Sequence, residues 1–278
     1  ARWQLAAQWA IDLQMRSLAS SARSDGVMIG LDYPVGVHVD GYDIWANREL
    51  FVNAVSIGAP PDTFFSGGQN WELVPIHPEV SRRTGHRYLI EGLRHQIALG
   101  GLLRIDHIMG LFRRWWIPQG AGATQGAYVT YPAEELLAII ALESFRASAV
   151  VVGENLGTVP AGVNQTLFEH GIAGMFIAQD HLDESGGLAA SPPKGSMALV
   201  NTHDMASFAE TWDGRPDPHS GLRSLITELR SSPADLVIVS LEDLWLERGR
   251  QNLPGSTVGN WQQRMMATLA QLSEFADL

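Results

Sequence analysis

The chain contains no cysteine, which excludes disulfide bridges and thiolate metal sites. Basic residues are in the minority, with 19 Lys and Arg against 30 Asp and Glu and a net charge of -11. Because phosphate binding needs Lys and Arg, this balance argues against DNA or RNA as the main partner. No apolar run approaches the roughly 20 residues that span a bilayer. No basic stretch followed by an apolar core opens the chain, so we expect neither a membrane span nor a secretory leader.

Several motifs of other enzyme classes are also missing. The chain has no His-Glu-x-x-His, no Walker phosphate loop, no Gly-x-Ser-x-Gly and no EF-hand loop. Its carboxylates and histidines still leave a metal-dependent hydrolase open as an alternative. Hydrophobic residues make up 45% of the 278 residues and charged residues 18%, which is the composition of an ordinary globular protein.

Six short apolar runs predict the strands of a parallel sheet, because near-continuous apolar strands that alternate with helices indicate a sheet covered on both faces. The runs are residues 27–31, 102–106, 149–154, 174–178, 197–200 and 235–241. Four of them are followed by a carboxylate. In a (β/α)8 barrel the active site lies at the C-terminal ends of the strands. An open doubly wound sheet fits less well, since the first strand lacks a Gly-rich phosphate loop.

A (β/α)8 TIM barrel needs eight strands, so six strands predict an α/β fold with an incomplete barrel. Helical periodicity over residues 1–23 and 133–146 predicts two of the helices that accompany the strands. Residues 41–90 and 107–132 are predicted to be long irregular insertions after strands, and loops of that length are commonly functional. We expect one partial barrel domain over residues 1–278, with these insertions forming the substrate groove.

Three carboxylates, Asp106, Glu154 and Asp204, follow three of the apolar strands at intervals of about fifty residues. Parallel strands would bring them to one rim of the sheet. Cleavage of a glycosidic bond needs two carboxyl groups, one that protonates the leaving oxygen and one that attacks the anomeric carbon or activates water. A third can bind sugar hydroxyls. Taken singly, each of these residues could equally cap the helix that follows its strand.

The neighbours of these carboxylates favour the catalytic interpretation. Arg104 lies on the same face of its strand as Asp106, where its positive charge would stabilise the carboxylate anion. His107 and His203 adjoin two of the acids and can donate to sugar hydroxyls. Tryptophan is the other supply of sugar-binding groups, although most of these rings are expected to fill packing sites. The tryptophans in or near predicted loops are Trp45, Trp71, Trp115, Trp116, Trp212 and Trp261.

Segments in order along nearly the whole chain resemble the amylomaltase or disproportionating-enzyme family of 4-alpha-glucanotransferases, in the α-amylase clan. Any one of these segments is a weak signal, but their occurrence together, in the order that they have in the family, is highly specific for it. The matching segments are residues 31–37 (LDYPVGV), 43–46 (DIWA), 60–71 (PPDTFFSGGQNW), 104–107 (RIDH), 153–157 (GENLG), 202–204 (THD) and 252–261 (NLPGSTVGNW).

The resemblance implies a role for each matched position. Asp106 would be the nucleophile, Glu154 the general acid/base and Asp204 the residue that stabilises the transition state. The residues expected to assist or to bind the glucan are Arg104, His107, His203, Asp32, Trp45, Asp62, Phe64, Gln69, Trp71 and Asn252.

The implied reaction transfers 4-alpha-glucan segments between α-1,4-glucans through a covalent glucosyl-enzyme intermediate, with no metal and no organic cofactor. The donor and acceptor would be maltooligosaccharides, and the implied location is cytoplasmic. Family members are longer, and the clan places its first motif at the third barrel strand, so the six strands would be the third to the eighth. An α-glucan hydrolase of the same clan and a non-catalytic glucan-binding fragment remain alternatives, and the sequence makes no prediction of the oligomeric state.

Overall fold

The computed structural model describes residues 2–63, 65–256, 258–268 and 270–271. The chain divides into two compact units, Ala1–Ala173 and Gly174–Leu278, each with its own three-stranded parallel sheet. Across the described ranges, no helix has both the length and the apolar character that crossing a membrane would require.

The first unit contains six helices and eight strands among its described residues. The helices are α1 (Arg2–Ser24), α2 (Tyr42–Ala46), α3 (Pro78–Arg83), α4 (Arg87–Leu99), α5 (Ala133–Ala147) and α6 (Val163–Glu169). The strands are β1 (Ile29–Tyr33), β2 (Val37–His38), β3 (Val55–Ala59), β4 (Gln69–Val74), β5 (Gly101–Ile105), β6 (Arg113–Pro118), β7 (Ala127–Thr130) and β8 (Val150–Gly153).

The parallel sheet of this unit has the strand order β1-β5-β8. Along β5, Leu103 and Ile105 point into the core that also contains Leu93 of α4 and Leu137 of α5. Because side chains alternate along a strand, Arg104 points to the opposite face. The sheet therefore presents polar side chains on the face away from α4 and α5, and these are the side chains that build the candidate site.

The two insertions contain an ordered antiparallel sheet, so the prediction that they are irregular is wrong. Its strand order is β2-β4-β3-β6-β7, which joins parts of both insertions. Two features hide these strands in the sequence. The pairing of β3 with β4 shifts register between Ile57 and Gly58, and β6 carries adjacent aromatics, Trp115 and Trp116, instead of an alternating pattern.

The second unit has three strands, β9 (Gly174–Ile177), β10 (Ser196–Leu199) and β11 (Leu236–Ile238), in the order β11-β10-β9. Its helices are α7 (Phe208–Thr211), α8 (Pro218–Ser231) and α9 (Leu241–Leu244). Helix α8 buries Leu222, Leu225 and Leu229, whose spacing of three and four residues places them on one face. They pack with Phe208 and Trp212 in the core of this unit.

All six predicted strands are present and parallel, which confirms the α/β class. The predicted helices at 1–23 and 133–146 are confirmed as α1 and α5. Within the described residues neither three-stranded sheet closes on itself. Helix α1 buries only Ala19 and leaves most of its large apolar side chains exposed, namely Trp3, Leu5, Trp9, Ile11, Leu13 and Leu18.

Candidate active site

A row of charged side chains crosses the parallel sheet of the first unit. Asp32 of β1 is the register partner of Arg104 of β5, and Arg104 Nη1 contacts both carboxylate oxygens of Asp32, at 2.8 and 2.6 Å. Arg104 Nη2 lies 3.1 Å from Asp106 Oδ1. One guanidinium therefore holds two carboxylates, and the Asp106 side chain keeps 37% of its surface exposed for a ligand.

Glu154 follows the neighbouring strand and lies level with Asp106. Ile105 pairs with Gly153, so the next residues of β5 and β8 are Asp106 and Glu154. The backbone N–H of Glu154 donates to Ile105 O at 2.9 Å, which continues the ladder to the strand ends. The two predicted catalytic carboxylates of this unit thus emerge side by side at the C-terminal edge of one sheet.

Different surroundings separate the two acids. The carboxylate of Glu154 accepts backbone N–H groups from His107, at 2.8 Å on Oε2, and from Leu156, at 3.0 Å on Oε1. Burial and the charge of Asp106 raise the pKa of Glu154, against the lowering effects of Arg104 and the two backbone amides. Glu154 is therefore suited to carry a proton in the pH range where an ordinary carboxyl group has lost it.

His107 follows Asp106 in the chain and contacts Glu154 through its backbone. It adopts a left-handed conformation, with φ 44° and ψ 63°, and its N–H donates to Glu154. Burial lowers the pKa of His107 to about 4, so its ring is neutral at neutral pH and can both donate and accept. The ring lies edge-on to Trp71, with 5.1 Å between centroids.

Asp204 lies in the second unit with two of its predicted companions. Asn252 Nδ2 donates to Asp204 Oδ1 at 2.6 Å, and the backbone N–H of Asn252 donates to His203 O at 3.2 Å. The ring of His203 lies 5.1 Å from that of Trp261, which is exposed. The structure therefore brings His203, Asp204, Asn252 and Trp261 together.

The other predicted binding residues belong to the first unit and differ in their surroundings. Trp45 is 65% exposed and near Tyr42, at 5.7 Å between ring centroids. Gln69 accepts a hydrogen bond from Trp71 Nε1 at 3.3 Å. Asp62 Oδ1 accepts the N–H of Phe65 at 2.6 Å, which stabilises a turn. Phe64 lies outside the described residues.

Three of the loop tryptophans have packing roles. Trp212 is buried in the core of the second unit, and its Nε1 donates to Pro216 O at 2.8 Å. Trp115 donates to Ala123 O at 2.8 Å, and Trp116 lies within hydrogen-bonding distance of the Tyr131 hydroxyl, at 3.3 Å. The other three loop tryptophans are Trp45 and Trp261, which are exposed, and Trp71, which is half-buried against His107.

A cavity of about 580 Å³ adjoins the nucleophile candidate in the first unit. Asp106 and His107 line one part of it, and Tyr33, Asp43 and Tyr88 line another. The volume lies in the range of small-molecule sites. Among the described residues, no group of three or more His, Asp or Glu side chains could hold a metal ion.

The sequence does not predict two of the contacts in the second unit. The amide of Asn252 contacts Asp204, although the sequence predicts only that this residue binds the glucan. Asp243, an acid after the last apolar run, is buried and accepts the backbone N–H of Phe208, the first residue of α7. An acidic residue just after an apolar strand was the available signal, but nothing in the sequence distinguishes a buried acid from an exposed one.

The chain is similar to known proteins along most of its length. A family model described as 4-alpha-glucanotransferase matches residues 1–269. The 4-alpha-glucanotransferase of Mycobacterium tuberculosis is 33% identical in an alignment of 309 positions, gaps included, that covers 92% of this chain and 43% of that protein. The 4-alpha-glucanotransferase of Haemophilus influenzae is 38% identical over 213 residues, which cover 75% of this chain and 30% of that protein. The chain thus spans less than half the length of these two relatives.

Two solved amylomaltase structures have a similar fold. Amylomaltase from Corynebacterium glutamicum superposes with a TM-score of 0.84 at 27% identity, over 91% of this chain and 45% of that one. Amylomaltase from Streptococcus agalactiae in complex with acarbose superposes with a TM-score of 0.81 at 22% identity, over 94% of this chain and 59% of that one. The match over residues 1–269 and the identity to curated relatives show that the chain belongs to the 4-alpha-glucanotransferase family.

Proposed function

We propose that the protein transfers 4-alpha-glucan segments between α-1,4-glucans by a retaining double displacement. The observation that carries the proposal is the pair of carboxylates at the ends of β5 and β8, in which Arg104 contacts Asp106 while the pKa of Glu154 is raised by burial. A retaining mechanism needs one ionised carboxylate and one carboxyl group that carries a proton. The two environments meet that requirement.

In the first step Asp106 attacks the anomeric carbon of the donor glucan. Arg104 contacts Oδ1, so we assign the attack to Oδ2. The bond between the anomeric carbon and the leaving oxygen breaks as Glu154 gives its proton to that oxygen. In the second step Glu154 takes the proton of the 4-hydroxyl of an acceptor sugar, whose oxygen displaces Asp106 from the anomeric carbon.

The remaining predicted residues are assigned to the sugar. Asp204 would stabilise the transition state, while His107 and His203 would donate to hydroxyl groups. Trp45, Trp71 and Trp261 offer aromatic faces that suit pyranose rings. Acarbose, which is bound to the Streptococcus agalactiae amylomaltase, is the inhibitor we would test against this protein.

We also propose that the parallel strands are the third to the eighth of a (β/α)8 barrel, with the antiparallel sheet bordering the substrate groove. The exposed apolar side chains of α1 support this proposal, because a helix of a closed barrel would bury such side chains against its neighbours. The relatives are longer than this chain, so their sequences have room for two further barrel strands. A cytoplasmic location remains a prediction.

Product analysis after incubation with maltotriose tests the function. Transfer gives a ladder of shorter and longer maltooligosaccharides, whereas a hydrolase of the same clan gives only glucose and maltose. Asp106→Asn is the matched control, because it keeps the size of the side chain and removes the nucleophile. Absence of any product from a folded protein, or an unchanged ladder with Asp106→Asn, contradicts the proposal.

A further inference from the structure

The loop that carries Asp204 is held at both ends by one carboxylate. This loop, residues 201–208, leads from the segment after β10 to the first residue of α7. Asn201 Nδ2 donates to Asp243 Oδ1 at 3.0 Å, and the backbone N–H of Phe208 donates to the same oxygen at 2.8 Å. Two residues that are seven positions apart in the sequence are therefore fixed to a single atom.

Asp243 is itself firmly placed. The residue is only 1% exposed, and its second carboxylate oxygen accepts the Ser240 hydroxyl at 2.7 Å. Ser240 in turn caps α9 and accepts the backbone N–H of Asp243. A buried carboxylate that satisfies three donors makes a rigid anchor, because removing it would leave those donors without partners in a place that water reaches poorly.

Two further side chains hold the interior of the loop. Gln179 Oε1 accepts from Asn201 Nδ2 at 2.8 Å, and Gln179 Nε2 donates to the carbonyl of Ala206 at 3.1 Å. Asn252 bonds Asp204 directly, at 2.6 Å. The position of Asp204 is thus set by a network in which the two ends of the loop share one acceptor.

We propose that Asp243 is a positioning residue for Asp204 and acts through residues 201–208. This inference rests on the proposed function of Asp204 as the residue that stabilises the transition state. At 1% exposure Asp243 has almost no surface for a sugar to contact, so its effect on transfer must pass through the loop.

Loss of the anchor is expected to affect turnover more than binding. A displacement of about 1 Å in a catalytic group can lower the rate about 100-fold. We therefore expect Asp243→Ala to lower kcat on maltotriose about 100-fold and to change KM by less than about threefold. Asp243→Asn keeps Oδ1 as the acceptor for both loop ends, and its amide can donate to Ser240. It should regain activity to within about fivefold of the unmodified protein.

Controls separate positioning from general stability. Asp235→Ala removes an exposed acid just before β11 and should leave kcat unchanged. Asn201→Ala removes one of the two donors to Asp243 Oδ1 and should give an intermediate loss of kcat. All variants are assayed at a temperature where circular dichroism shows that they are fully folded, so that unfolding does not count as lost turnover.

A second measurement does not depend on activity. Hydrogen exchange of the peptide that covers residues 201–208 should be faster in Asp243→Ala than in Asp235→Ala, because the loop has lost its shared acceptor. If the loop exchanges faster but the unmodified protein shows no transfer, the proposed function fails and the anchoring stands. If transfer is present and Asp243→Ala changes neither kcat nor exchange, or if Asp243→Asn is as impaired as Asp243→Ala, the positioning role is refuted.

Discussion

Replacing Glu154 by glutamine tests the assignment of the proton donor. Its two carboxylate oxygens each accept a backbone N–H, from His107 at 2.8 Å and from Leu156 at 3.0 Å. Glutamine keeps one oxygen, so one of these donors faces an NH2 group and loses its partner. An unpaired donor costs about 1–3 kcal/mol when buried, and removal of a carboxylate whose pKa is raised by burial offsets part of that cost. We expect a folded variant with a modest loss of stability.

The catalytic effect should depend on the leaving group of the donor. Loss of a general acid lowers the rate by about 10²–10⁴-fold when the leaving oxygen needs a proton. Transfer from maltotriose should fall by that factor in Glu154→Gln. Fluoride departs without protonation, so the first-turnover release of fluoride from α-maltosyl fluoride should fall by less than about tenfold.

The assay compares fluoride release, followed with an ion-selective electrode, and maltooligosaccharide products, separated by chromatography. Asp106→Asn serves as the matched variant, because loss of the nucleophile should abolish reaction with both donors. Azide needs no general base as an acceptor, so it should restore turnover of the fluoride donor in Glu154→Gln. Equal losses with both donors in Glu154→Gln would refute the assignment of Glu154 as the acid.

Three further predictions concern the first unit. In Asp106→Asn the pKa of Glu154 should be lower than in the unmodified protein, because a negative charge that raises it is gone; carbon-13 NMR of the side-chain carboxyl measures this. The ring of His107, with a pKa of about 4, should show no titration in proton NMR above pH of about 6. Gly92→Ala should lower the melting temperature despite a gain of about 1 kcal/mol in helix propensity, because the new Cβ would lie 2.8 Å from the Tyr33 hydroxyl oxygen. Adding Tyr33→Phe should recover part of the loss, and a higher melting temperature for Gly92→Ala alone contradicts the packing.

Strand β8 was predictable because burial on both faces leaves a direct record in the sequence. Residues 149–154 form an almost unbroken apolar run, and β8 lies within it. The antiparallel sheet leaves no such record. Gly58 marks a change of register rather than a turn, and Trp115 and Trp116 are adjacent, so the period of two is lost.

The same contrast holds for the candidate site. The positions of Asp106 and Glu154 follow from the strands that precede them, since the ends of parallel strands share an edge. Their hydrogen-bond partners do not follow, because His107 reaches Glu154 through its backbone N–H, in a left-handed conformation that no side-chain pattern encodes. Asn252 likewise reaches Asp204 from a segment almost fifty residues further along the chain.

The structure adds the different surroundings of Asp106 and Glu154 to the roles that the resemblance implies for them. In the sequence each is a carboxylate after an apolar strand, and only the resemblance and the nearby Arg104 distinguish them. In the structure the guanidinium of Arg104 contacts both Asp32 and Asp106. Among the described residues, the hydrogen-bond donors to Glu154 are backbone amides, and burial raises the pKa of Glu154. Acid-assisted displacement requires a carboxyl group that carries a proton, so the raised pKa of Glu154 supports the role of acid that we propose for it.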